Sequence, residues 1–250
     1  MLTDHRHGEI LTRLRSAGRV GVAEVAAVLQ VSDETIRRDL KQLEERGLLR
    51  RIHGGAVPQR LDRDRPLTER GRIAPREKAR VAVLAERLVQ DGMSVFIDTG
   101  TSTLALARQI KGRHLAVTTN SIDVALMLAD GPATVSMTPG TVRAKDHALV
   151  GYETLAYAQR YFFDIAFMGI SACDIDHGWM DYEEHESVLR RALKKQARRA
   201  VILADSGKFG RQANINTFAL DVPVTLVTDR PPPKPFLDAF DRHDIEIIST

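Results

Sequence analysis

Apolar positions in the first sixty residues recur at helical spacing in three short runs. Ile10, Leu11, Leu14 and Ala17 form the first, stopped by Gly18; Val22, Val25, Ala26 and Leu29 form the second; Ile36, Leu40 and Leu43 form the third, stopped by Gly47. Ser32 stands where the third helix needs an N-cap, with Asp33 and Glu34 in the first turn, where the helix dipole favours acid. Residues 48–57 alternate loosely around Gly54-Gly55, as a small β-wing does. Two helices joined by a tight turn and followed by a hairpin predict a winged helix-turn-helix over residues 1–57.

Residues 58–74 lose that periodicity, mix charges of both signs and contain two prolines, which reads as a linker. From Pro75 a helical stripe runs to Val89, and Met93–Ile97 follows as a short buried strand. Further strands are expected at Ala116–Thr118, Thr134–Met137, Ile165–Ile170, Val201–Ala204, Thr225–Thr228 and Glu246–Ile248. Helices are expected between them at Thr103–Ile110, Ile122–Ala129, Thr154–Tyr161, His185–Ala197 and Lys234–Arg242. The alternation predicts an α/β domain over residues 75–250, with a mostly parallel sheet covered on both faces.

Composition narrows the class. Apolar residues make up 43% and charged residues 28%, an ordinary globular balance that excludes wholesale disorder. Apolar runs such as Ala200–Ala204 fall far short of the ~20 residues that span a bilayer, and the N-terminus has no apolar core of a signal peptide. Cys173 is the only cysteine and makes neither an internal disulfide nor a cysteine zinc site. The expectation is a cytoplasmic protein with no metal, no cofactor and no membrane partner. The net charge of +3 is uneven: residues 1–80 carry 18 Lys and Arg against 12 Asp and Glu, the remainder 18 against 21. A basic end on a mildly acidic body points to a polyanion partner.

The third helix exposes Thr35, Arg37, Arg38 and Lys41 opposite its apolar face, as a helix entering a DNA major groove does, while Arg50, Arg51 and His53 on the wing suit flanking phosphates. A solvated face laced with ion pairs, Arg38 or Lys41 with Glu34, Asp39 or Glu45, is the competing reading. In the second half, Asp98-Thr99-Gly100-Thr101-Ser102-Thr103 runs from a strand through a small-residue turn into a helix. Amides and hydroxyls gathered there suit a phosphate, and a turn needed only by the fold is the alternative. Glu183, His185 and Glu186 have a weak metal-like spacing, and Asp181 to Glu186 also reads as an acidic cap on the next helix. Arg190, Arg191, Lys194, Lys195, Arg198 and Arg199 read as a solvated helix face, and Pro231-Pro232-Pro233 as a stiff connector.

Arg6, Ile10 and Leu14, then seventeen residues to Ser32-Asp33-Glu34-Thr35-Ile36-Arg37-Arg38-Asp39-Leu40, with Arg51-x-His53-Gly54-Gly55-Ala56 behind, resemble the DeoR family of bacterial transcriptional regulators. Glu69-Arg70, Glu77-Lys78, Asp98–Thr103, Thr119-Asn120, Gly140 with Arg143, Val150-Gly151, Gly169-Ile170-Ser171 and Asp205-x-x-Lys208-Phe209-Gly210 resemble the sensor domain of the same family. The resemblance implies that Ser32, Thr35, Arg37, Arg38, Lys41, Arg50, Arg51 and His53 serve DNA, with Asp39 orienting an arginine. It implies a sensor fold like ribose-5-phosphate isomerase and a phosphorylated sugar or polyol effector, its phosphate in Thr99–Thr103. Arg143 and Lys208 would add positive charge, Asp98, Asn120, Asp181 and Glu186 would bind hydroxyls, and Gly140 and Gly151 would belong to the same effector site. A double-stranded operator with two half-sites implies a homo-oligomer, a dimer or tetramer.

Two positions depart from the family pattern: Thr138-Pro139-Gly140 replaces a Gly-Gly pair, and Gly207 replaces a hydroxyl residue. The His185-Glu186 region, Phe209-Gly210-Arg211 and Pro231-Pro232-Pro233 are most similar to glycerol-3-phosphate regulon repressors, so a repressor of a carbohydrate or polyol operon is expected. The competing class is a sugar-phosphate isomerase with a basic accessory domain, using Asp98, Asp174, Glu186 and Lys208 for acid–base chemistry.

Overall fold

The computed structural model describes residues 3–45, 47–58 and 66–250. The chain divides into two compact units, Met1–Arg63 and Asp64–Thr250.

In the first unit, α1 (Thr3–Ala17), β1 (Val20–Gly21), α2 (Val22–Leu29) and α3 (Asp33–Glu45) precede a hairpin of β2 (Leu49–Ile52) and β3 (Gly55–Pro58). The apolar stripes converge as their spacing requires: Ile10, Val25, Ile36, Leu40, Leu43 and Leu49 are almost wholly buried together. Ser32 caps α3, its Oγ accepting from the Thr35 amide at 3.2 Å. The wing gains a third strand, because β1 pairs with β3 through Val20–Ala56 and gives the order β1-β3-β2.

The second unit begins with α4 (Leu67–Arg72) and α5 (Pro75–Glu86). It continues through β4 (Ser94–Ile97), α6 (Thr101–Gln109), β5 (Ala116–Thr119), α7 (Ile122–Ala129) and β6 (Thr134–Met137). A hairpin of β7 (Thr141–Arg143) and β8 (Ala148–Val150) leads into α8 (Tyr152–Ala158) and β9 (Phe163–Gly169). Then come β10 (Ala172–Asp174), β11 (Gly178–Asp181), α9 (Glu184–Lys195), β12 (Ala197–Leu203), β13 (Ile215–Phe218), β14 (Thr225–Val227), α10 (Lys234–Asp241) and β15 (Ile247–Ile248). Seven strands form a parallel sheet in the order β15-β14-β12-β9-β4-β5-β6. Alternation along β4 sends Phe96 to one face, with Met168, Trp179 and Phe240, and Val95 and Ile97 to the other, with Val81, Leu106 and Phe167.

The sheet winds outward both ways from the β4–β9 pair, β4 to β6 on one side and β9 to β15 on the other. In such sheets the crevice at the carboxyl ends of the strands beside the reversal is the place for a ligand. Asp98 follows β4, Asn120 follows β5, Ser171 follows β9 closely and Asp205 follows β12 closely, so four of the chain's polar segments meet at that end.

Several elements differ from the sequence expectation. Of the expected linker, Pro58 ends β3 in the first unit, residues 59–65 lie outside the described residues, and residues 66–74 belong to the second unit and contain α4. Short strands escaped the pattern: the β7–β8 hairpin and a second sheet, β10-β11-β13. Helix α9 stops at Lys195, so Arg198 and Arg199 stand on strand β12 rather than on a helical face. No described helix is long and apolar enough to cross a membrane.

Candidate functional site

On α3 the side chains of Arg37, Arg38 and Lys41 are all more than half exposed. They are tethered only loosely to carboxylates of their own helix: Arg37 to Asp33 at 3.7 Å and Glu34 at 3.8 Å, Arg38 to Glu34 at 3.6 Å, Lys41 to Glu45 at 3.9 Å. Exposed pairs of this kind are worth ~0–1 kcal/mol, so a phosphate or a guanine edge displaces them readily. Both sequence readings of these residues thus describe the same face, ion-paired in isolation and free to exchange partners. Ser32 is exposed and Thr35 half-buried at the start of that helix, and their hydroxyls lie 2.9 Å apart. Arg50, Arg51 and His53 are exposed on the wing, and Glu44 of α3 accepts from the Arg51 amide at 2.8 Å.

Asp39 is different. It is buried under α1, where Arg6 grips it with two hydrogen bonds, Nη2 to Oδ1 at 2.8 Å and Nε to Oδ2 at 2.5 Å, and His7 Nε2 lies 3.2 Å from Oδ1. Burial alone would raise the Asp39 carboxyl, but Arg6 and His7 prevail and hold it below its ordinary value. Asp39 therefore fixes the third helix against the first.

In the second unit, Gly100 heads α6 with φ +139°, a conformation that suits glycine, and no side chain caps the helix. The first-turn amides of Thr101, Ser102 and Thr103 are left as donors at the positive end of the helix dipole. The Thr99 amide turns inward, to Asp98 Oδ1 at 2.8 Å and to Asn120 Oδ1 at 3.0 Å. The Thr103 hydroxyl closes the turn on the Gly100 carbonyl at 2.9 Å. Asn120, which holds the turn, also lines a cavity of about 360 Å³, together with Leu149, Gly151, Leu155, Glu186 and Leu189.

Below this crevice sits a buried ionic network. Arg190, 3% exposed, joins Asp98 at 2.7 Å and Glu186 at 3.1 Å, and also grips Asp181. Arg143 holds Asp146 through Nε–Oδ1 at 2.8 Å, contacts Glu186 and lies 3.4 Å from Glu183. Burial opposes the charge on Glu186, yet the guanidinium groups of Arg190, Arg143 and Arg70 hold its carboxyl at about 2. For Asp98 burial prevails and pushes the carboxyl up, with Arg190 offsetting part of it. Asp181 also accepts from the Ser171 amide at 3.1 Å and from the Thr217 hydroxyl at 2.7 Å.

Arg190 thus corrects the sequence reading: it lies at the hub of the network, not on a solvated face. The missed signal was its i, i+4 spacing from Glu186 on the inner side of α9, whose other buried positions are Ser187, Leu189, Ala192 and Leu193. Arg143 and Asp181, read as ligand groups, are engaged with protein partners. Gly140 backs onto α8: a Cβ there would stand 2.3 Å from Thr154 Oγ1 and 2.7 Å from the Val150 carbonyl, at φ +141°. Lys208 reaches the Ser171 carbonyl at 3.4 Å, and Lys78, whose role the sequence did not show, donates to the Arg70 and Ile73 carbonyls, each at 2.6 Å. Burial lowers both lysines, Lys208 to about 7 and Lys78 to about 8. Each is drawn back up by Asp205 and pushed further down by Arg70 and Arg211. The crevice therefore has a cationic side and a carboxylate side. Among the described residues no group of three or more His, Cys, Asp or Glu is arranged to hold a metal ion.

Comparison with known proteins agrees with this architecture in both units. A DeoR-like helix-turn-helix domain matches residues 6–60, and a DeoR C terminal sensor domain matches residues 73–230. The chain belongs to the DeoR family. This DeoR-family chain is 29% identical over 249 residues to the glycerol-3-phosphate regulon repressor of Escherichia coli K12, covering 99% of each chain. It is 33% identical over 229 residues to the protein of the same name from Haemophilus influenzae, covering 90% of this chain and 89% of that one. Among solved structures it is similar to ribose 5-phosphate isomerase A of Methanocaldococcus jannaschii over 53% of each chain, with 18% identity and a TM-score of 0.38. That last likeness is partial, and no activity follows from it. As a DeoR-family protein with a helix-turn-helix unit and a sensor unit, the chain is a DNA-binding transcriptional regulator.

Proposed function

We propose that this regulator is a cytoplasmic repressor of a carbohydrate or polyol operon, released from its operator by a phosphorylated sugar or polyol. The observation that carries the effector is the position of Asn120. Its Oδ1 holds the Thr99 amide of the turn that heads α6, and the same residue lines the 360 Å³ cavity. A phosphate on the first-turn amides of α6 and a hydroxylated carbon chain in the cavity are then neighbours, with Lys208 and Lys78 supplying the cationic side. Glycerol 3-phosphate leads the candidates, since it is named in the regulon of the two relatives cited above.

On DNA, Arg37, Arg38 and Lys41 with Thr35 read the major groove, and Arg50, Arg51 and His53 hold the flanking backbone. Two half-sites require at least a dimer. The effector acts by linkage: it binds better to the state whose helix-turn-helix units are wrongly placed, and a coupling of ~1–3 kcal/mol lowers operator affinity ~5–150-fold.

The isomerase reading finds little support in the carboxylates. Glu186, held at about 2 by three arginines, is a poor base near neutrality, and Asp98 is closed off by Arg190. Thermal unfolding of the full chain against a panel of phosphorylated sugars and polyols tests the effector. A specific ligand at ~100 times Kd adds ~2.7 kcal/mol and shifts Tm clearly. A panel that shifts nothing argues against the effector class, and turnover of any aldose or ketose phosphate would restore the isomerase.

A further inference from the structure

Helix α4 is the first described element after residues 59–65, which join the sensor unit to the DNA-binding unit along the chain. It is short, none of its residues is buried, and it is fastened by polar contacts. The Leu67 amide donates to the Lys145 carbonyl at 3.1 Å, and Arg70 Nη2 lies 3.7 Å from the carboxylate of Asp146. The carbonyls of Arg70 and Ile73 receive the Lys78 ammonium. The joint to α5 is strained: Ala74 sits at φ +51° immediately before Pro75, a left-handed conformation that costs a non-glycine residue and is disfavoured ahead of proline.

Two of these fastening points, Asp146 and Lys78, connect to residues of the crevice. Asp146 is wholly buried; its carboxylate is held by Arg143, which also grips Glu186 on the cavity wall, and its carbonyl accepts from the Thr99 hydroxyl at 3.5 Å. Lys78 lies on the cationic side with Lys208. An anion that draws Lys78, Thr99 or Arg143 toward itself withdraws what holds α4 in place.

We infer that α4 is a latch between effector and operator, and that Arg70, through Asp146, is the residue that couples the two. With α4 docked, the segment leading to the DNA-binding unit ends at Pro66. With α4 released it extends to Ala74, and at ~3.3–3.6 Å per residue the eight freed residues add at most ~26–29 Å of reach. A longer connection lowers the effective concentration of the second helix-turn-helix unit at its half-site, so operator affinity falls with no change in the DNA-contacting residues. The inference rests on the proposed effector site.

The test uses the full chain as wild type, Arg70→Met and Arg70→Lys. The DNA probe is a duplex selected by the wild type from a random library, and the ligand probe is glycerol 3-phosphate. Hydrogen exchange of residues 67–73 should accelerate at least tenfold in Arg70→Met without ligand, with β4 and β9 unchanged. Operator affinity should fall ~5–150-fold without ligand, ligand affinity should rise by up to the same factor because the mutant already occupies the released state, and Arg70→Lys should recover much of the operator affinity. Unchanged exchange at 67–73, or an Arg70→Met protein that binds the duplex tightly and is still released by ligand, overturns the latch. If the wild type selects no duplex or ignores glycerol 3-phosphate, the proposed function is what has failed. The exchange comparison still decides whether Arg70 holds α4.

Discussion

Arg6 on the first helix and Asp39 on the third are joined by two nearly parallel hydrogen bonds in a site from which water is almost excluded, Asp39 being 3% exposed. The pair sets the angle at which α3 presents Arg37 and Arg38. Removing one partner of a buried pair strands the other charge, a cost of about 3 kcal/mol or more. Asp39→Asn should therefore destabilise the first unit, and operator binding should fail only as that unit unfolds. The unit contains no tryptophan or tyrosine, so hydrogen exchange of α1 and α3 is the measurement. Because the native Asp39 carboxyl is depressed, its stabilisation is complete above about pH 4 and lost as pH falls through the native value. Wild type and Asp39→Asn should converge in stability in strong acid.

Arg37→Ala should behave oppositely. The side chain is 58% exposed and its own ion pairs are long, so unfolding should move by less than about 0.5 kcal/mol. Operator affinity should fall by ~1–3 kcal/mol per half-site in a gel shift, with ligand binding intact. Retained specific binding by the mutant would remove Arg37 from the interface.

Lys208 gives the sensor unit a pH signature. Its ordinary value is near 10.4, and burial brings it to about 7 in the fold. Between those values the unfolded chain binds more protons, so stability rises with pH from about 7 to about 10. Affinity for a phosphorylated ligand should move the other way, weakening above about pH 7 as the ammonium is lost. Urea midpoints at pH 6.5 and 9 should differ less in Lys208→Met, which should also be an operator-bound protein that no longer lets go. Ordinary release of that mutant from DNA would exclude Lys208 from the site.

Gly140→Ala tests whether that glycine is packing or ligand surface. The added methyl meets Thr154 and the Val150 carbonyl well inside contact distance, at a positive φ. Strain of both kinds should cost several kcal/mol and lower Tm by several degrees with no ligand present. A fully stable mutant with weakened ligand binding would return Gly140 to the effector site.

The helix-turn-helix was legible because its three stripes carry strong periodicity and Ser32 announces α3. The parallel sheet was legible because β9 and β12 are buried on both faces and read as apolar runs. The β7–β8 hairpin was not, since Thr141–Arg143 is three residues long and largely exposed. Helix α4 was hidden for a related reason: Leu67–Arg72 buries no residue and is held by polar contacts, which leave no hydrophobic period to read. In the crevice, Asp98, Asn120 and Glu186 stand out from the segments around them. Arg190 was missed because a charge on a basic helix reads as surface until its acidic neighbour one turn earlier is seen to be buried too.

In the proposed function, a phosphorylated ligand in the crevice of the second unit controls DNA binding by the first. Fluorescence anisotropy of a labelled operator duplex, titrated with the full chain in the presence and absence of glycerol 3-phosphate and other phosphorylated sugars and polyols, tests it most directly. One of these compounds should lower operator affinity by ~5–150-fold while its unphosphorylated counterpart does not. Operator affinity indifferent to every phosphorylated compound, at concentrations up to the millimolar range, would contradict it.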